Sequence, residues 1–292
     1  MKTTNLKSFL QLQCATLVLI LCSLPDFSLF NMLTGVETDL AVILSTLVGV
    51  VIIGLGVLMH KDRITQPYWL IMAICAVVKL LALIPNCIPN WIEYIALLGF
   101  IVAFFMAKNA LQVCWTTSSS EGAYFILLAL LMHVFSQVNE TVLTNCMAIW
   151  GLILYLIGLN KLSLQLDIIG KNGVSQLKIA VILGLVGIVL GLIPLVGGII
   201  GGVFALLAFL LEFMGYGKFS KSTSMGFKGQ QGGNTLRASM IIMIVAAIIG
   251  FLSDSFAGII YLVALFFVYS GWVNITCGLE EKQSLSSDNA FL

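Results

Sequence analysis

Long apolar runs alternate with short polar segments along most of the 292-residue chain. A helix needs about 20 apolar residues to cross the hydrocarbon core of a bilayer, and about 17 are tolerated. Measured against that length, the pattern predicts ten membrane-spanning helices. They are placed at residues 9–24, 40–59, 68–84, 91–107, 122–137, 143–160, 178–194, 197–214, 238–252 and 256–273.

The run 178–214 decides this count. It has 37 residues, and a single helix of that length would measure about 55 Å, too long for a bilayer even with strong tilt. Pro194 lies near its middle, where a helix most easily ends. We therefore predict two spans joined by a hairpin apex at 194–198.

Basic residues predict the orientation of the chain, because short cytoplasmic loops retain positive charge. With ten spans, every Lys and Arg except Lys79 falls on the same side as residues 1–8. This predicts a cytoplasmic N-terminus and a polar cytoplasmic tail at 274–292. We read the first apolar run as a retained span rather than a cleaved signal peptide, in a multi-pass protein of the prokaryotic cytoplasmic membrane.

The predicted spans pair into tandem helical hairpins. Spans that start on the cytoplasmic side recur at intervals of 54 to 60 residues, which indicates an internal repeat within one transmembrane domain at 9–273. All units enter from the same side, so the repeats are parallel rather than inverted. The five hairpins are 9–59, 68–107, 122–160, 178–214 and 238–273.

Composition agrees with this all-α membrane fold and excludes other classes. The chain is 60% hydrophobic and 9% charged, whereas a soluble domain is about 45–50% apolar and 25% charged. A net charge of +1 with scattered basic residues does not form a nucleic-acid surface. The seven cysteines have neither CxxC nor metal-ligand spacing, so we expect no metal and no cofactor.

The stretch "GLVGIVLGLIPLVGGIIGG" at 184–202 is the densest run of glycine. It lacks the Lys and Ser/Thr of a phosphate-binding loop and the strand that precedes one. Glycines four residues apart lie on one face of a helix and let another backbone approach closely. We therefore predict a helix-packing role for Gly187, Gly191, Gly197, Gly198, Gly201 and Gly202.

Ionisable residues within spans are the usual indicators of function in membranes. Lys79 and Glu93 flank the predicted turn between two spans at similar depth, so they form a candidate ion pair, with the alternative that each is simply interfacial. His133 and Asn145 are candidates for the polar lining of a conduit. We assign Glu212 to a solvated helix end. No nucleophile with a base in reach is found, so we do not expect an enzyme.

The segment 215–237, "GYGKFSKSTSMGFKGQQGGNTLR", is rich in Gly and Ser and contains no acid. It is predicted to be a mobile cytoplasmic loop, either an ordinary topology-setting loop or one that binds anionic lipid headgroups. The headgroup candidates are Lys218, Lys221, Lys228 and Arg237.

Two functions remain open at this stage. One is a permeation or transport element for an apolar or weakly polar solute. The other is a non-catalytic structural or partner-binding subunit, as a homo-oligomer or with another membrane protein. A conduit predicts a continuous cavity, whereas a scaffold predicts a solid bundle with glycines at the helix crossings.

Overall fold

A computed structural model of the chain describes residues 67–81, 118–136, 142–191, 197–251 and 254–288, together with several single positions between 89 and 106 and residue 193. All the secondary structure in these ranges is helical. Seven α-helices occur there: α1 (Pro67–Leu81), α2 (Ser118–Ser136), α3 (Val142–Leu162), α4 (Ile168–Gly191), α5 (Gly197–Phe219), α6 (Gly226–Gly250) and α7 (Asp254–Asp288).

Five helical segments in the described ranges are long and apolar enough to cross a membrane. The described part of the chain is therefore all-helical and of membrane type, as the apolar pattern predicts. The segments are Cys146–Gln165, Ile168–Gly191, Gly197–Phe219, Thr223–Gly250 and Val263–Lys282. The first predicted hairpin, 9–59, lies outside the described residues.

Two compact units divide the chain. The first comprises 1–114 and 134–146, and its described core includes Tyr68, Met72 and Cys75 on one side of α1. Gly99 packs against the Cys75 sulfur in this unit. The second comprises 115–133 and 147–292. Both cavities described below lie in this second unit.

The run 178–214 is divided between two helices, α4 and α5, which pack against each other along their lengths. The N–H of Ile193 donates to the carbonyl of Leu190, and the N–H of Gly197 donates to the carbonyl of Ile193, each at 3.0 Å. This is the break that the length argument requires. Pro194 itself lies outside the described residues.

Three consecutive helix pairs, α2 with α3, α4 with α5 and α6 with α7, share one glycine arrangement. In each pair a glycine on the first helix faces the backbone carbonyl of a glycine on the second, and the relation is reciprocal. A Cβ atom built on each glycine would lie between 2.5 and 3.0 Å from the carbonyl oxygen opposite. The pairs are Gly122 with Gly158, Gly173 with Gly215, and Gly232 with Gly271.

A branched residue one turn after the first glycine completes the arrangement in each helix pair. Ile126 contacts Gly158, Leu177 contacts Gly215 and Leu236 contacts Gly271. Residues four apart lie on the same helical face, so each glycine and its branched neighbour receive the glycine of the partner helix between them. The three pairs therefore have the same local register.

The helices extend further into the polar segments than hydropathy predicts. The segment 215–237 is mostly helical rather than a loop, because α5 continues to Phe219 and α6 begins at Gly226 after a 3₁₀ turn at Thr223–Met225. Likewise, α7 continues to Asp288 through most of the expected polar tail. Close packing holds these extensions, since a Cβ on Gly278 would overlap the backbone of Gly229.

We call the part of the second unit that carries Glu121, Lys161, Asp167, Lys228 and Glu281 the polar end. Lys161 forms an ion pair with Glu121 at 2.7 Å, and Lys228 forms one with Glu281 at 3.3 Å. The buried hydroxyl of Ser119 donates to the carbonyl of Leu162 at 2.9 Å. Each contact joins two helices of the same pair, so the polar end is ordered by side-chain contacts as well as by glycine packing.

Candidate functional site

A cavity of about 460 Å³ lies among α2, α3, α4, α5 and α7 in the second unit. This volume is within the range of about 300–1,000 Å³ typical of small-molecule sites. Most of its lining is aliphatic, and a few polar groups are concentrated on three helices. The polar and aromatic residues in its wall are His133, Tyr155, Glu212, Tyr216 and Trp272.

Glu212 and Tyr216 place a hydrogen-bonded carboxylate in the cavity wall. They lie four residues apart on α5, and therefore on one face of that helix. The Tyr216 hydroxyl donates to Glu212 Oε1 at 2.5 Å. Tyr155 on α3 also lines the cavity, so three polar side chains from two helices lie in its wall.

No salt bridge to Glu212 is formed within the part of the chain that the structure describes. Arg237 on α6 has its guanidinium over the ring of Phe213, 4.6 Å from the centroid. Phe213 does not line the cavity. The carboxyl group of Glu212 therefore remains an acceptor that can serve a bound molecule.

Aromatic rings form the wall of the cavity nearest the polar end. Trp272 meets Tyr216 edge to face at 6.1 Å between ring centroids, and meets Phe219 at 6.0 Å in the same manner. All three residues are buried. Edge-to-face aromatic packing is rigid and favourable, so it fixes the position of the Tyr216 hydroxyl.

His133 and Gly184 lie in the aliphatic part of the cavity wall. His133 is fifteen residues along α2 from Ser118, or about 22 Å at the helical rise. A Cβ atom on Gly184 would have no neighbour within 4 Å, so this glycine leaves space in the cavity rather than closing a helix contact. Together these positions extend the cavity along the helices, away from the aromatic wall.

Such a lining can hold a small, mainly apolar molecule by burial and can orient it through hydrogen bonds. The aliphatic wall removes apolar surface from contact with water or lipid headgroups. The Glu212 carboxyl group can accept a hydrogen bond from the bound molecule, and the hydroxyls of the two tyrosines in the wall add polar contacts beside it. In the described residues, no three His, Cys, Asp or Glu side chains come together to hold a metal ion.

The sequence-predicted site residues are distributed unevenly with respect to this cavity. His133 lines it. Lys79 belongs to α1 and Asn145 to α3, but their side chains lie outside what the structure describes, as does the whole of Glu93. The proposed ion pair and the Asn145 lining therefore stay predictions.

The glycines of the 184–202 stretch fall into two groups. Cβ atoms on Gly187 and Gly201 would lie 3.1 and 2.7 Å from each other's carbonyl oxygens, and one on Gly197 would lie 3.0 Å from the carbonyl oxygen of Gly191. In contrast, Cβ positions on Gly191, Gly198 and Gly202 have no neighbouring atom within 4 Å. Gly191 thus contributes to the contact between α4 and α5 through its backbone alone.

The predicted headgroup residues have different surroundings. Lys218 is on the last turn of α5, and Lys221 is exposed in the connection that follows. Lys228 is exposed on α6 and pairs with Glu281. Arg237 is half-buried against Gly217 and Phe213, so its position is that of a packing residue.

Sequence reasoning missed Glu212 and Tyr216 as site residues. Glu212 lies near the end of a predicted span and six residues before Lys218, which favours the interpretation of a solvated helix end. The structure instead places it in the cavity wall, because α5 continues past it to Phe219. The signal that could have identified it is a carboxylate inside an otherwise uncharged span with a tyrosine one turn later.

A second polar cluster connects α4 to the turn before α6. Asp167 caps α4 by accepting the Gly170 N–H at 2.7 Å. It also accepts the hydroxyl of Ser222 at 2.7 Å and both the N–H and the hydroxyl of Thr223 at 2.9 and 3.1 Å. Partial burial opposes ionisation, but these hydrogen bonds outweigh it and lower the pKa of Asp167 from 3.8 to about 2.

This cluster is structural, since every oxygen of the Asp167 carboxylate already accepts bonds from the protein. It fastens the start of α4 to the Thr223–Met225 turn and so sets the end of α5. The cavity and its aromatic wall depend on that placement.

Comparison with known proteins finds no matching family model, no matching curated protein and no matching solved structure.

Proposed function

We propose that the protein is a multi-pass membrane protein that binds a small, mainly apolar solute in the cavity of its second unit and allows that solute to permeate the membrane. The solute carries one hydrogen-bond donor or a positive charge that meets Glu212. In this proposal the chain has ten spans arranged as five hairpins, with both termini on the cytoplasmic side. It acts without catalysis.

One observation carries the proposal: the cavity of about 460 Å³ has an aliphatic wall and a single hydrogen-bonded carboxyl group. A bundle that served only as a scaffold would gain packing energy by filling this space, because empty volume costs dispersion contacts. Ionisable groups inside membrane helices are expensive and mark the paths of solutes. Glu212 meets that description.

The alternative is a non-catalytic structural or partner-binding subunit. The reciprocal glycine pairs favour it, because close helix packing of this kind serves assembly as well as folding. Three of those pairs lie toward the polar end and a fourth joins Gly187 to Gly201, whereas the cavity lies among α2, α3, α4, α5 and α7. Permeation therefore requires the cavity, whereas a structural role requires the glycine contacts between helices.

The experiment is a stabilisation screen with purified full-length protein in lipid nanodiscs. Small phenols, alcohols and amines are compared with hydrocarbons of the same size. A solute at 100 times its Kd stabilises the folded state by about 2.7 kcal/mol. Hits are then tested for flux across proteoliposomes, and we expect the stabilising solutes to enter faster with the protein than without it.

Glu212→Gln tests the site, because it retains size while removing the strongest acceptor. A hydrogen bond contributes about 0.5–1.5 kcal/mol, so solute affinity should fall roughly 2- to 10-fold. Glu281→Gln is the matched control, since it removes a carboxylate from the polar end outside the cavity. Equal losses in both variants, or no solute that stabilises the wild type, would contradict the proposal.

A further inference from the structure

A second concave site lies in the second unit, between α4 and the 3₁₀ turn Ser163–Gln165 that follows α3. It has a volume of about 390 Å³ and does not share a residue with the central cavity. We call it the basic pocket. Its lining consists of Ser163, Leu164, Lys171, Val174, Ser175 and Lys178.

Charge in the basic pocket is entirely positive. Two lysines and two serine hydroxyls line it, and none of the six lining residues is acidic. Lys178 is held in place by a hydrogen bond from its ammonium group to Asn160 Oδ1. The nearest carboxylate along the chain, Asp167, is already bonded to Gly170, Ser222 and Thr223.

The pocket lies where α4 changes from polar to apolar. Lys171, Ser175 and Lys178 are spaced at three and four residues and so share one helical face. The same spacing continues from Lys178 to Ile182, Val186 and Val189, all of which are exposed on the protein surface. A polar, positively charged concavity is thus followed directly by an apolar stripe.

The wall of the pocket also has an exposed apolar side. Leu164 is 63% exposed, and Ile168, which begins α4, is 79% exposed. Large apolar side chains beside lysines are typical of protein surfaces at the boundary between headgroups and acyl chains.

From this arrangement we propose that the basic pocket binds the phosphate of an anionic phospholipid, with its acyl chains lying along the Ile182, Val186 and Val189 stripe. Lys171 and Lys178 neutralise the phosphate charge, and the Ser175 hydroxyl donates a hydrogen bond to the phosphate. The lipid therefore contacts the Ser163–Gln165 turn and the exposed face of α4. The inference does not rest on the permeation proposal, because it concerns a separate site.

The test measures binding of phosphatidylglycerol to the full-length protein in detergent by native mass spectrometry, with phosphatidylcholine as the uncharged comparison. Each lysine near a lipid surface contributes roughly a fivefold gain in affinity. The double variant Lys171→Gln with Lys178→Gln should therefore weaken phosphatidylglycerol binding by roughly thirtyfold. Phosphatidylcholine binding should be weak for the wild type and unchanged in the variant.

Two further variants serve as controls. Lys221→Gln with Lys228→Gln removes the same charge from the polar end outside the pocket, and we expect little change. Lys171→Arg with Lys178→Arg retains the charge and should retain affinity, and thermal unfolding of every variant is measured alongside. Equal weakening by both glutamine pairs, or equal binding of the two lipids, would overturn the proposal.

A third arm separates a lipid from free phosphate. Ile182→Asn, in the apolar stripe, should weaken long-chain phosphatidylglycerol but not a short-chain form with the same headgroup. Inorganic phosphate at millimolar concentration should not displace the long-chain lipid. If phosphate binds with the same dependence on Lys171 and Lys178, and Ile182→Asn has no effect, the pocket is a site for the free ion and the lipid assignment is wrong.

Discussion

Replacing Gly232 by alanine would place a methyl group between α6 and α7. Its Cβ would lie 2.5 Å from the carbonyl oxygen of Gly271 and 2.9 Å from both the backbone N and Cγ1 of Ile275. Ordinary contact begins at 3.4 Å. The two backbones would have to separate by about 0.9 Å, because two of these three atoms, the Gly271 oxygen and the Ile275 nitrogen, belong to the backbone.

The expected cost follows from this separation. Overpacking of a well-packed contact costs about 1–3 kcal/mol. Alanine regains about 1 kcal/mol through its higher helix propensity, so the net destabilisation is at most about 2 kcal/mol. Gly202→Ala is the matched control, because its Cβ would meet nothing within 4 Å, and it should be neutral or slightly stabilising.

Thermal unfolding of both variants in the same detergent provides the measurement. The variants should differ by about 2 kcal/mol, which corresponds to about 5 °C in Tm for a unit of this size. Gly232→Ala must unfold at the lower temperature. If the two variants unfold together, or Gly202→Ala is the less stable one, the assignment of close packing to Gly232 is refuted.

Further predictions concern the polar cluster and the cation–π contact. Asp167→Ala should lower the free energy of unfolding by about 1–2 kcal/mol through loss of the cap. The ordinary pKa of the carboxyl is 3.8 and the folded value is about 2, so the extra stability conferred by the ionised form is present above pH 3.8 and lost as pH falls through 2. Unfolding measured for both proteins between pH 2.5 and 7 checks this, and a difference that grows on acidification would contradict it. Arg237→Lys should cost about 0.5–1 kcal/mol by weakening the contact with Phe213, and a double-mutant cycle with Phe213→Leu should show coupling of that size.

Much of the fold follows from the sequence because the apolar pattern is strong. The break between α4 and α5 is required by length alone, since a mainly apolar run of 37 residues exceeds any bilayer as one helix. Hydropathy reports where a helix meets lipid, however, and not where it ends. The extensions of α5 and α6 into 215–237 are stabilised by contacts such as Gly215 with Gly173, which a hydropathy pattern does not contain.

The glycines illustrate the same limit. The four-residue spacing places Gly198 and Gly202 on one helical face, and it places Gly197 and Gly201 on another. It does not show which of these faces meets a partner helix. In the structure the face of Gly197 and Gly201 meets α4, and the face of Gly198 and Gly202 meets no atom within 4 Å. The partner surface is a property of tertiary packing.

Site prediction was limited for a similar reason. His133 was identified because a histidine inside an apolar run is conspicuous, and it does line the cavity. The sequence places Glu212 at a solvated helix end because Lys218 follows closely. In the structure Glu212 lines the cavity, and the aromatic wall of Tyr216 and Trp272 lies between that cavity and the polar end. That wall joins residues from α5 and α7, which are far apart in the sequence.

The central claim, that the second unit contains a water-accessible cavity for a solute, is tested most directly by cysteine labelling on α4. Gly184→Cys lines the cavity, and Ile182→Cys, two residues earlier on α4, replaces a residue that is 57% exposed on the outer surface. Each is introduced after replacing the natural cysteines by serine, and the protein in liposomes is exposed to a small, charged thiol reagent. The account predicts that Gly184→Cys reacts, that Ile182→Cys does not, and that a stabilising solute protects Gly184→Cys. Absence of reaction at both positions, or equal reaction at both, would contradict it.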